Sequence, residues 1–361
     1  MPDIFWLGHW QKRLELTRGY AVLLAMRVLY QLPITIAIAY LGLQVSVQAD
    51  PAGDLARFSG LPNPDIGAVV GGKVLTSSGK GSGQGRDLAV EALYFLPLPV
   101  EKSVEHLRRW NGTNYPELEV YLHGIVSAQP GAADFRKISS APATGPVRAL
   151  VANTVMLDPQ MPQLHVSREE AQRAPRSASA SAMTPEVAAF WGEILAGRAR
   201  AFRSSGLSGQ PPYFFNGEKV QVSAEVSRLL RSQGKWQSQF APVLGAASLN
   251  SGGGGKFSLY WTMFDVEGQA ALALGGFLAQ GGAGGTSQAI DLQYYASAGH
   301  YALVTLYQLW PVKGGTLVWR GDLVSAPGLS ALRGVERLAS RSVMVKTISK
   351  SINRLKQDAR R

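Results

Sequence analysis

With 361 residues, 46% hydrophobic and only 17% charged, the chain can bury a large core and is too poor in charge for global disorder. Cysteine is absent, which excludes disulfides, zinc-thiolate and iron–sulfur sites, and a cysteine nucleophile. The formal net charge of +11 admits nucleic acid or an anionic membrane surface as partners.

The first element is an apolar run from Val28 to Leu43. It is preceded by Arg27 and, further back, Lys12, Arg13 and Arg18, and followed by Val47 and Ala49 at the small-residue positions of a cleavage site. That order predicts a signal peptide over residues 1–49, with Met26 as an alternative start, and hence export to the periplasm or medium. The alternative is an uncleaved helix that anchors the chain in the membrane. Residues 50–86, rich in Pro, Gly and Ser, read as a flexible linker. The GKGSGQG run inside it lacks the spacing of a phosphate loop.

From residue 87 the chain reads as one folded domain. Leu88–Pro99 is a strand, and Val100–Trp110 a short helix with Val100, Val104, Leu107 and Trp110 on one face. A second strand follows, in which Leu118, Val120 and Leu122 alternate with Glu119, Tyr121 and His123. Between about 130 and 255 the texture turns helical. Ser167 and Glu170 form a capping box, and Thr184-Pro185 opens a helix with a stripe of Val187, Phe190, Trp191, Ile194, Leu195 and Phe202. Five strand-like segments then run from Phe257 to Ala326. Short turns such as Glu267-Gly268 and Lys313-Gly314 separate them, so they predict an antiparallel meander. After Pro327 a helix reaches to about Asp358, roughly 45 Å at 1.5 Å per residue. Its inner face holds Leu329, Leu332, Val335, Leu338, Val345, Ile348, Ile352 and Leu355.

Strand, helix, strand, insertion, five-strand meander and long helix make an α+β fold: a seven-stranded antiparallel sheet wrapped on its C-terminal helix, with a helical insertion. This order, carried by the segments LPVEKSVEHLRRWNGTNYPEL and LSALRGVERLASRSVMVKTISKSINRLK, resembles the helix-grip superfamily of START lipid-transfer domains, polyketide cyclases and plant pathogenesis-related proteins. The resemblance spans about half the chain. It implies a cavity between sheet and helix for a lipid-like, apolar or amphipathic small molecule. The insertion and the export signal depart from the family pattern.

Candidate side chains follow from that picture. Tyr294, Tyr295, Tyr301, Tyr307 and Trp310, interleaved along the meander, suit the walls of a pocket for an amphipathic ligand. Asp265 and Glu267, two apart on one strand, and Arg320 with Asp322 are candidates for acid–base work or an ion pair, and His300 lies between them in sequence. These residues would serve the alternative reading, an exported hydrolase- or cyclase-like enzyme using the same cavity. A third reading is an interaction protein that uses its helical insertion. No pair of histidines has metal-ligand spacing, there is no G-x-S-x-G elbow, and no cofactor is expected. Much of the basic surplus sits between Leu329 and Arg361, nine bases against two acids. Lys346, Lys350 and Arg354 on this helix could meet an anionic membrane surface. Nucleic acid is disfavoured for want of any binding motif.

Overall fold

The computed structural model describes residues 49–361 except 79–84, 177–181, Asn216 and Arg333. The segment read as a signal peptide lies outside them, apart from Ala49. Among the described residues no helix is long and apolar enough to cross a membrane.

Strand β2 (Asp87–Leu96) is buried at nine of its ten positions, on both faces. A strand of this kind must be covered from two sides. It lies in an eight-stranded, wholly antiparallel sheet with β1 (Leu75–Ser78), β3 (Val120–Ile125), β6 (Ser258–Val266), β7 (Gln269–Gly281), β8 (Ser287–Ala296), β9 (Ala302–Val312) and β10 (Gly315–Ser325). The strand order is β1-β2-β10-β9-β8-β7-β6-β3, so the meander runs across the sheet and returns its last strand beside β2. The β6–β7 turn has positive φ at both Glu267 and Gly268, the geometry that matches the twist of a tight hairpin.

The insertion covers one face. Its helices are α4 (Gly145–Val155), α5 (Arg168–Gln172), α6 (Pro185–Ser205), α7 (Val222–Ser232), α8 (Gly234–Gln239) and α9 (Ala241–Ala247), with a small hairpin of β4 (Tyr213–Phe215) and β5 (Glu218–Val220). Helix α4 packs on β7, α9 on β7 and β8, and α7 on β9 and β10. The expected stripe of α6 is buried, and Thr184 caps it by accepting from the Val187 amide at 3.3 Å. A charged cluster fastens α7. Buried Glu225 accepts from Arg86, Arg228 and Ser325, each at 2.6 Å, and Arg228 also pairs with Asp87.

The other face receives α3 (Val100–Arg108) and α10 (Gly334–Asp358), whose Leu107, Ile348, Ile352 and Leu355 pack with Val90, Tyr94, Phe277, Leu309 and Val318 of the sheet. Helix α10 begins later than expected because Pro327–Ser330 forms a separate 3-10 turn. Val335 and Leu338 of the expected stripe lie outside the described side chains.

Two expectations are corrected. Residues 50–86 are not simply a linker, and the sheet has eight strands rather than seven. Helices α1 (Pro51–Phe58) and α2 (Ile66–Val70) precede β1, with Leu55, Phe58 and Val69 buried. Pro51, one of the prolines that suggested a linker, starts a helix here. Asp50 and Asp65 accept from the Gly53 and Ala68 amides at 3.0 and 2.9 Å, and Pro51 occupies the first helical position. Buried Glu91 of β2 ties this arm to the sheet by accepting from the Ser59 hydroxyl and the Gly60 amide at 2.7 and 2.9 Å.

Candidate ligand cavity

The face of the sheet that meets α3 and α10 is not fully packed. A cavity of about 400 Å³ remains between them, within the size range of small-molecule sites. Its walls are largely apolar where the helices and β7 meet it, with Leu107, Trp110, Phe277, Ile348 and Leu355 beside Arg108, Thr347 and Ser351. Its floor, on β6, β8, β9 and β10, is polar.

Strand register builds that floor. Asp291 of β8 stands opposite Thr305 of β9, which stands opposite Asp322 of β10. Thr305 donates to Asp322 Oδ1 at 2.8 Å. Arg320, two residues before Asp322 on the same face, closes a bidentate pair with it, Nε to Oδ2 and Nη2 to Oδ1, both at 2.8 Å. Burial opposes the Arg320 charge, but Asp322 outweighs it and holds the pKa well above the usual arginine value. Asp291 is served differently. Tyr260 of β6 reaches across β7 and donates to its Oδ1 at 2.7 Å. The reach is possible because Gly275 lies beneath the ring: a Cβ there would sit 2.2 Å from Tyr260 Cζ. Burial raises the Asp291 pKa to about 6, while the Tyr260 bond and Arg320 pull it down.

The structure places some of the expected residues here and removes others. Arg320, His300 and Tyr307 line the cavity. His300 packs on the Phe264 ring, centroids 6.0 Å apart, and burial lowers its pKa to about 4, so it is neutral at pH 7. Tyr294, Tyr295, Tyr301 and Trp310 do not border this cavity. A register shift beside Tyr294 puts both Tyr294 and Tyr295 in the core against the insertion, where Tyr294 stacks on Phe202 at 4.0 Å and Tyr295 lies beneath Arg198 at 4.3 Å. Trp310 donates to Asp54 on the insertion side, at 2.7 Å. Tyr301 borders a different recess of about 840 Å³ near Arg86 and Pro327.

Asp265 and Glu267 do not form an acid–base pair. Asp265 accepts from the Gly268 amide at 2.8 Å and from Tyr121 at 3.1 Å, and Glu267 has left the strand for the turn, with φ 53°. Among the surface bases, Lys346 and Lys350 are exposed, whereas Arg354 is paired with Glu117. Lys356 is buried and donates to the Gly72 carbonyl at 2.6 Å.

Asp291, Gln293, Tyr260 and Thr305 were not singled out by the sequence reading. The available signal was AIDLQYY, where Asp291 and Gln293 fall on the same side of a central strand between apolar and aromatic neighbours.

The pairing and layers define a mixed α+β protein with a large antiparallel sheet and a C-terminal helix against one face. No family model matches the chain, and no curated protein matches it. Among solved structures, it is similar to the crystal structure of Ara h 8.0201, at 12% identity over 28% of this chain and 67% of that one, with a TM-score of 0.20.

Proposed function

We propose that this protein binds an apolar or amphipathic small molecule, lipid-like in character, in the cavity between the sheet and helices α3 and α10. The observation that carries the reading is a cavity of about 400 Å³ with largely apolar walls and a hydrogen-bonded polar floor. Such a division suits a guest with an apolar body and one polar end. Binding is favoured over an enzyme in the same cavity by the state of the polar groups: Arg320 is committed to Asp322, and Asp265 to the β6–β7 turn. Titration with a neutral, environment-sensitive dye should give saturable binding of one dye per chain. Leu303→Trp, which fills the cavity from β9, should weaken that binding by about tenfold or more without lowering Tm. Equal binding by both proteins would place the dye elsewhere and refute the reading.

We also infer export, supported by the basic, apolar and small-residue order of residues 1–49. The exported chain should begin at Asp50, the residue that caps α1. N-terminal sequencing decides this, and an exported chain that still carries Val28–Leu43 would mean an anchor instead.

A further inference from the structure

The floor of the cavity holds two carboxylates in unequal circumstances, and the inequality identifies a ligand class. Asp322 is satisfied three times, by Thr305 and by two nitrogens of Arg320, and its charge is matched. Asp291, on the far side of Thr305, receives the Tyr260 hydroxyl on Oδ1 and forms no ion pair among the described residues. The groups facing it from each packed element leave it unmatched. Strand β6 brings neutral Tyr260, β7 brings Phe277, β9 brings Thr305 and Tyr307, and β10 brings Arg320 already paired with Asp322. Of the nearby histidines, burial keeps both His123 of β3 and His300 below the usual pKa. Arg108 of α3 is bonded to Glu105, and α10 offers Thr347 and Ser351.

Two residues along β8, Gln293 also lines the cavity, with a buried amide oxygen that has no partner. The Asp291 carboxylate and the Gln293 amide oxygen thus belong to one face of one strand, both acceptors. Resting on the reading of this cavity as a ligand site, we infer that its ligand carries a protonated primary or secondary amine on an apolar body, with the ammonium against Asp291 and Gln293. The ammonium supplies both the missing charge and the missing donors. A carboxylate headgroup would meet like charge, and an alcohol would supply a donor without charge.

Calorimetry with 4-phenylbutylamine, 4-phenylbutanol and 4-phenylbutyrate at pH 7.5 tests this on the full chain. The amine should bind about tenfold or more tightly than the alcohol, and the carboxylate weakest. Asp291→Asn keeps an acceptor for Tyr260 and should reduce the amine to the level of the alcohol. Lowering the pH to 5 should weaken the amine in the parent protein, as Asp291 takes up a proton, and should leave the Asn variant unchanged. If the three probes bind alike, or the carboxylate binds best, or none binds while the neutral dye does, the amine inference is overturned and the cavity reading stands. If neither the probes nor the dye bind, both fail.

Discussion

Replacing Arg198 by methionine should lower the free energy of unfolding by about 3–5 kcal/mol, the usual cost of leaving one member of a buried ion pair alone. Arg198 is 1% exposed and Glu170 6%. Their contact is 2.6 Å, and Arg198 also lies over the Tyr295 ring and donates to the Pro211 carbonyl at 3.2 Å. Without the guanidinium, Glu170 would keep only the Ser167 amide, 2.6 Å away in the capping box of α5. The Glu170→Gln, Arg198→Met double variant should recover much of the loss, since no charge is then stranded. Urea denaturation of the three proteins checks both statements. A single-variant loss below about 1 kcal/mol would show that water reaches the pair.

Trp319→Ala should cost about 3–5 kcal/mol through the cavity it opens. Its ring is fully buried, edge-on to Phe58 and Trp236 at 4.9 Å and stacked on Phe240 at 5.5 Å, so it joins α1, α8 and the start of α9 to the sheet. Its Nε1 donates to Glu91 Oε2 at 2.9 Å, and Glu91 in turn holds Ser59 and Gly60. The truncation therefore also removes a donor from a buried carboxylate. Limited proteolysis should show new cleavage within residues 51–70 in this variant, alongside the fall in Tm. Trp319→Ala with native stability would mean that the arm is held elsewhere.

The strands of the meander and helix α6 were legible in the sequence because each carries its own punctuation, such as Thr184-Pro185 at a helix start and Glu267-Gly268 at a hairpin. Helix α10 was legible in its second half, where Ile348, Ile352 and Leu355 are buried as their spacing predicts. Which face of the sheet would hold a cavity was not legible. Helical layers cover both faces, so β2, β7, β9 and β10 are buried at most positions on either side and alternation does not label the sides. The register shift at Tyr294 then moves Tyr295 into the same core as Tyr294, a change invisible to a period-two count. The arm before β2 was misread because proline starts helices as readily as it serves turns. The cavity floor was missed for a related reason: Asp291 gains meaning only once Tyr260, 31 residues earlier, lies across Gly275 to reach it.

Burial of the sheet on its second face bears on how long a guest would stay. A sheet backed by α4, α7 and α9 resists bending away from what lies on its other face, so dissociation would proceed by displacing the thinner layer, α3 and α10. The described contacts that fasten α10 cluster near its end: His106 with the Leu355 carbonyl at 2.9 Å, Tyr115 with Asp358, Lys356 with the Gly72 carbonyl, and Ile352 in the core. Residence time would then be governed by how often this last stretch of helix lifts, and because entry uses the same opening, substitutions along Ile348–Asp358 would change on-rates and off-rates together.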